Sequence, residues 1–130
     1  MDDSIFTKII KGDVPCHKIY EDERVIAFLD IHPIQPGHTL VIPKAQVDHL
    51  WDLSEEDYLA VMSTSKRVAQ RLRAVLKPKR VGVQVVGLDV PHAHVHLIPF
   101  STTEEFKRKP DMTAEPDHEQ LAALARKLAL

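Results

Sequence analysis

Histidine occupies three alternate positions in Pro91-His92-Ala93-His94-Val95-His96-Leu97-Ile98-Pro99, interleaved with small or branched apolar residues. Period-two alternation of this composition predicts a β-strand. Side chains on a strand alternate faces, so all three imidazoles are expected on one face, with neighbours roughly 6.6 Å apart. At that spacing they can share one small anion or metal. Imidazole changes charge near neutral pH. One ring can attack as a neutral nucleophile if a fixed acceptor holds its far nitrogen as N–H, while its neighbours donate to the developing anion. Phosphoryl chemistry relies mostly on such positioning and charge stabilisation. His-x-His on a strand can instead supply two zinc ligands, although no carboxylate or cysteine partner stands nearby in the chain. A third reading is a strand whose exposed face simply carries polar residues.

The surrounding elements must place these rings. Ser4 can cap a short helix bearing Ile5, Phe6, Ile9 and Ile10, with Gly12 just past its end. Strands are expected over 17–20 and 25–30, and a third over 38–43 after Pro33 and Pro36-Gly37. Ser54 then caps a long helix, with Glu55, Glu56 and Asp57 at its positive end. Its apolar stripe runs Tyr58, Val61, Met62, Ser65, Val68, Ala69, Leu72, Val75 and Leu76 until Lys77-Pro78. A fourth strand is predicted from Arg80 to Gly87, and the histidine segment is the fifth. Asp117 can cap a C-terminal helix with Leu121, Leu124, Ala125 and Leu128 inward, and 101–116 reads as a loose surface loop. Short connections around one inserted helix predict an α+β fold with a five-stranded antiparallel sheet.

A chain of 130 residues suits one domain spanning 1–130. Seventeen basic and nineteen acidic residues give a net charge of −2, so no global field attracts a nucleic acid polymer or an acidic membrane. The basic run Lys107-Arg108-Lys109 is short and reads as a solvated loop. The one cysteine, Cys16, excludes an internal disulfide and suits a reducing cytosol. Met1-Asp2-Asp3-Ser4 lacks the apolar core of a signal peptide, and no apolar run approaches a membrane span. A cytoplasmic location is therefore expected.

The segment His92-Ala93-His94-Val95-His96-Leu97-Ile98 resembles the histidine triad signature, in which histidine and hydrophobic residues alternate. Three upstream stretches resemble the same family in the same order: Ser4-Ile5-Phe6-Thr7-Lys8-Ile9-Ile10, Ala27-Phe28-Leu29-Asp30-Ile31-His32-Pro33 and Gly37-His38-Thr39-Leu40-Val41-Ile42-Pro43-Lys44. The resemblance spans residues 4–100 and leaves the loop and helix of 101–130 outside it. It implies a hydrolase or transferase that passes a nucleoside monophosphate through a histidine. His94 would be the nucleophile, His96 would contact the α-phosphate, and His92 would fix the geometry of His94. His38 matches a supporting histidine near the triad. A uridylyl-transferring branch resembles His-x-His-x-Gln, so His96 points away from it.

Asp30 matches the carboxylate that accepts hydrogen bonds from the ribose hydroxyls, a task suited to an acceptor-only group. Ile5, Phe6, Phe28 and Ile31 would wall the base, whereas Ile9 is expected in the core. Gly87 matches the phosphate loop, but Leu88 replaces a glutamine of the pattern. Asp89, if it faced the phosphate, would repel it. Where some members hold zinc with Cys-x-x-Cys and a histidine, this chain has Ser4, Thr7 and Gln46, which are poor zinc ligands. No metal and no cofactor are expected. The resulting expectation is a hydrolase of purine nucleoside phosphoramidates or related nucleotide conjugates, which the resemblance implies is a homodimer. The rivals are a nucleotide-binding module with little turnover and a metal-binding protein using the histidine strand.

Overall fold

Runs of β-branched and aromatic residues, broken by turn formers, build a five-stranded antiparallel sheet in the computed structural model, which describes residues 2–130. The strands are β1 (Lys18–Glu21), β2 (Val25–Leu29), β3 (Thr39–Pro43), β4 (Arg80–Gln84) and β5 (Val95–Phe100), in spatial order β1-β2-β3-β5-β4. Helices α1 (Ile5–Ile10), α2 (Glu55–Leu76), α3 (Thr103–Lys107) and α4 (His118–Leu128) accompany them, so the α+β class is as expected.

Strand alternation divides the interior in two. Val25, Ala27, Leu29, Val41, Val95 and Leu97 meet Val61, Val68 and Leu72 of α2 and Leu121 and Leu128 of α4. Ile26, Phe28, Leu40 and Ile42 point to the other face and pack with Phe6 of α1. Covered on both sides, β2 and β3 are buried at every position. The second face is only partly covered by the six-residue α1, and there the site forms.

Helix ends follow local chemistry. Ser4, Ser54 and Asp117 accept the N–H of Thr7, Asp57 and Gln120, each closing the first turn of its helix. Lys77, left-handed at φ 54°, ends α2. Elsewhere the structure corrects the sequence reading. β4 stops at Gln84 rather than Gly87, because residues 85–87 leave the ladder before the turn that Gly87 makes at φ +74°. β5 begins at Val95 rather than with the first histidine, because pairing to β3 ends at Val41–Val95. The first three strands shift by a residue at one or both ends, and a 3-10 turn occupies Leu50–Asp52 unforeseen. The segment expected as a loose loop contains α3, held by a capping box between Thr102 and Glu105.

Gly37 sits at φ +94° beneath α2, and a Cβ there would come within 2.5 Å of Leu76 Cδ1 and 3.2 Å of Leu72 Cδ2. Gly37→Ala therefore adds left-handed strain to overpacking, a combined loss of about 2–4 kcal/mol. Urea unfolding checks this: the midpoint falls while the m-value stays unchanged.

Candidate active site

A cavity of about 710 Å³ opens on the second face of the sheet. Ile5, Phe6, Ile9, Phe28 and Ile31 supply apolar wall, Asp30 and His38 stand at the β2–β3 turn, and His94 and His96 flank Val95, the first residue of β5. Gly87, Leu88, Asp89 and Val90 form a further edge. Ile9, expected in the core, does both: it packs against the Phe6 cluster and lines the cavity.

His94 and His96 share this face as period-two alternation requires, their ring centroids 4.9 Å apart. His92 does not line the cavity, but it lies on the same side under α1, where Phe6 packs edge-on against both its ring and that of His94. Its ring is wholly buried, with Nε2 2.8 Å from the Pro43 carbonyl and Nδ1 2.7 Å from Ser4 Oγ. Both nitrogens are satisfied inside the protein, so the ring is anchored behind the site.

Acceptor chemistry assigns the tautomers. The Nδ1 atom of His94 lies 2.7 Å from the His92 carbonyl, which only accepts, so Nδ1 carries the proton. The lone pair of His94 is then on Nε2. His38 Nδ1 accepts the Ile34 backbone N–H at 3.1 Å, leaving the proton on Nε2, which donates to His96 Nδ1 at 2.9 Å. His96 therefore presents Nε2 as a neutral N–H donor. Burial pushes His38 down to about 3 and His96 down to about 4, with a neighbouring histidine adding to each shift. Both rings are uncharged across the neutral range. Burial also lowers His92, against the opposing hydrogen bond from its ring to Pro43.

Asp30 has one oxygen committed and one available. Oδ1 accepts the His32 backbone N–H at 2.8 Å, while Oδ2 lies 3.7 Å from His38 Nε2. Burial raises its pKa, and the His32 hydrogen bond partly offsets that. Ligand atoms of Asp30, His38 and His96 all lie within 4.8 Å of one another, the spacing a metal would need. The proton that His38 gives to His96 already accounts for their approach without one. Ser4, Thr7 and Gln46 interlock with His92 through hydrogen bonds instead, with Thr7 Oγ1 donating to Gln46 Oε1 at 2.6 Å.

Several cavity residues escaped the sequence reading. Gln84 sits opposite His96 across the β4–β5 ladder. Phe106 and Lys107 of α3, with Arg108, Lys109 and Met112 beyond it, line another wall. Lys107-Arg108-Lys109 is exposed, as expected of a solvated loop, yet it borders the cavity, and none of its charges is ion-paired among the described residues. Its charge density was the available signal. Leu88, at 89% exposure, and Asp89 reach the rim together.

Comparison with known proteins agrees with this geometry. The HIT domain model matches residues 11–103. Protein hit of Bacillus subtilis is 38% identical over 102 residues, covering 73% of this chain and 69% of that protein. An adenosine 5'-monophosphoramidase of Schizosaccharomyces pombe is 36% identical over 105 residues, covering 77% and 76%. A Hit-like protein from Bartonella henselae superposes with a TM-score of 0.85 at 30% identity, covering 98% of this chain and 95% of that one. With two oriented imidazoles beside a carboxylate, on the fold these relatives share, the chain belongs to the HIT domain family.

Proposed function

We propose that the protein hydrolyses purine nucleoside phosphoramidates, or related nucleotide conjugates, at the α-phosphorus through a nucleotidyl intermediate on His94. The observation that carries this reading is the 2.7 Å bond from His94 Nδ1–H to the His92 carbonyl, which leaves the Nε2 lone pair for attack. The base packs between Phe6 and Ile5 on one side and Phe28 and Ile31 on the other, and Asp30 accepts from the ribose hydroxyls. His96 Nε2–H donates to a phosphoryl oxygen, with its proton position set by His38. The His94–phosphorus bond forms as the phosphorus–nitrogen bond to the leaving amine breaks, and the amine departs with a proton from water. A second water then attacks phosphorus as the His94–phosphorus bond breaks, and its proton neutralises the hydroxide left by the first, releasing the nucleoside monophosphate and neutral His94. The name of the S. pombe relative supports this substrate class.

Incubation with adenosine 5'-phosphoramidate followed by acid-free rapid quench and intact-mass measurement tests the reading. The expected result is release of AMP together with a transient mass increase of one adenylyl group localised to His94. Calorimetric binding of AMP without turnover of any phosphoramidate favours the binding-module reading, which exposed Leu88 and Asp89 at the rim make specific.

We also infer a homodimer in a reducing cytosol. β4 is an edge strand whose exposed Val83 continues into exposed Val85 and Val86, an apolar edge suited to pairing with a second copy. Cys16 is a half-buried free thiol. No helix among the described residues is long and apolar enough to cross a membrane.

A further inference from the structure

The cap of α1 is tied to the nucleophile through a buried chain of hydrogen bonds. Ser4 is 6% exposed, and its hydroxyl oxygen accepts the Thr7 backbone N–H at 3.0 Å, the ordinary task of an N-cap. The same hydroxyl lies 2.7 Å from His92 Nδ1. Because His92 Nε2 must donate to the Pro43 carbonyl, Nδ1 carries a lone pair, and Ser4 O–H is its donor. The main-chain carbonyl of that same His92 accepts the His94 Nδ1 proton. Phe6, two residues along α1, packs edge-on against both rings, with centroids 5.8 Å from His92 and 5.0 Å from His94.

We propose that Ser4 is a positioning residue for the His94 nucleophile: its hydroxyl anchors the His92 ring, and through the His92 carbonyl it holds His94 in the tautomer that presents Nε2 to the cavity. This inference rests on the nucleotidyl-histidine reading above. Without the Ser4 donor, a wholly buried nitrogen loses its partner, and the ring relieves that cost by rotating or changing tautomer. A tautomer change breaks the Nε2 donation to Pro43 and frees the ring, and the ring's movement shifts the His92 main chain and with it the acceptor that orients His94. Displacements on the order of 1 Å remote from the chemistry can cost up to about a hundredfold in rate.

The cap and donor roles separate by substitution. Ser4→Gly removes the hydroxyl but sacrifices only a few tenths of a kcal/mol as a cap. Ser4→Thr restores a hydroxyl. Thr7 Oγ1 stands 3.4 Å from His92 Nδ1 and can partly replace the lost donor, so Ser4→Gly is also combined with Thr7→Val. Each variant is assayed with adenosine 5'-phosphoramidate, and side-chain 15N NMR reads the His92 and His94 tautomers in the resting protein.

The expected result for Ser4→Gly/Thr7→Val is a drop in kcat on the order of tenfold, with KM nearly unchanged and His94 signals spread between tautomers. Ser4→Thr should recover both readouts. An unchanged kcat in the double variant overturns the proposal, as does a lowered kcat with His94 still wholly in its Nδ1–H form. If the unmodified protein turns over no phosphoramidate, the functional reading fails. The NMR comparison then decides by itself whether Ser4 sets the His92–His94 arrangement.

Discussion

His94→Ala loses turnover by at least ~10⁴-fold, the scale seen when a covalent nucleophile is removed from an intact site. The loss falls on kcat, because the groups proposed to bind the nucleotide lie elsewhere: Asp30 at the β2–β3 turn, Phe6 on α1 and Phe28 on β2. AMP affinity by calorimetry should therefore stay within a few-fold of the unmodified protein. His94→Gly leaves room for free imidazole, and added imidazole should restore part of the rate by attacking phosphorus in place of the side chain. Retention of more than about one per cent of kcat in His94→Ala contradicts covalent catalysis at this residue.

Acidification from pH 7 to pH 5 lowers folding stability by an amount on the order of 4 kcal/mol, before any carboxylate contribution. His38 and His96 are held at about 3 and about 4, chiefly by burial, whereas both titrate near 6.5 once unfolded. Between those values the unfolded chain binds protons that the folded chain refuses, so stability rises with pH across the window. The stabilisation is fully present above about pH 6.5 and is lost as pH falls through the folded values. Each group contributes a slope of about 1.4 kcal/mol per pH unit while only its unfolded form is protonated. His92, also lowered by burial, acts in the same direction. Asp30, raised by burial, opposes the trend as pH nears the carboxylate range. Urea midpoints at pH 7, 6 and 5 measure the slope. His38→Gln, which removes one titrating ring, should lose about half of the combined slope from the pair. A flat profile in the unmodified protein refutes the burial argument for both rings.

The elements that read correctly from sequence are those decided by neighbours in the chain. Ser54 followed by Glu55, Glu56 and Asp57 marks the start of α2, and Asp117 marks α4, because caps act within one turn. Alternation about Val95 and Leu97 places His94 and His96 on one face, because the pleat has period two. The first histidine follows the same alternation without reaching the cavity. At His92 that side is covered by α1, whose Phe6 and Ser4 pack and bond to the ring, so it is buried short of the cavity.

The segment beyond Phe100 illustrates the opposite limit. Its prolines and charges read as a loose loop, but Phe106 packs against Phe100 at a centroid distance of 4.8 Å. That contact brings Lys107, Arg108 and Lys109 to the cavity wall. Nothing in the local pattern of a basic run tells whether a cavity lies beside it.

By itself the sequence determined the spacing of His94 and His96, the helix caps, the α+β class and the apolar faces that close the core, since each depends on residues within a few positions. Tertiary structure alone decided which partners each histidine meets. His38 meets His96 because β3 and β5 are sheet neighbours, 58 residues apart in the chain. Ser4 meets His92 across 88 residues because α1 returns over that sheet. Proton positions on the rings follow from these partners: a neutral histidine ring can carry its one proton on either nitrogen until a fixed carbonyl or N–H, supplied by the fold, selects one.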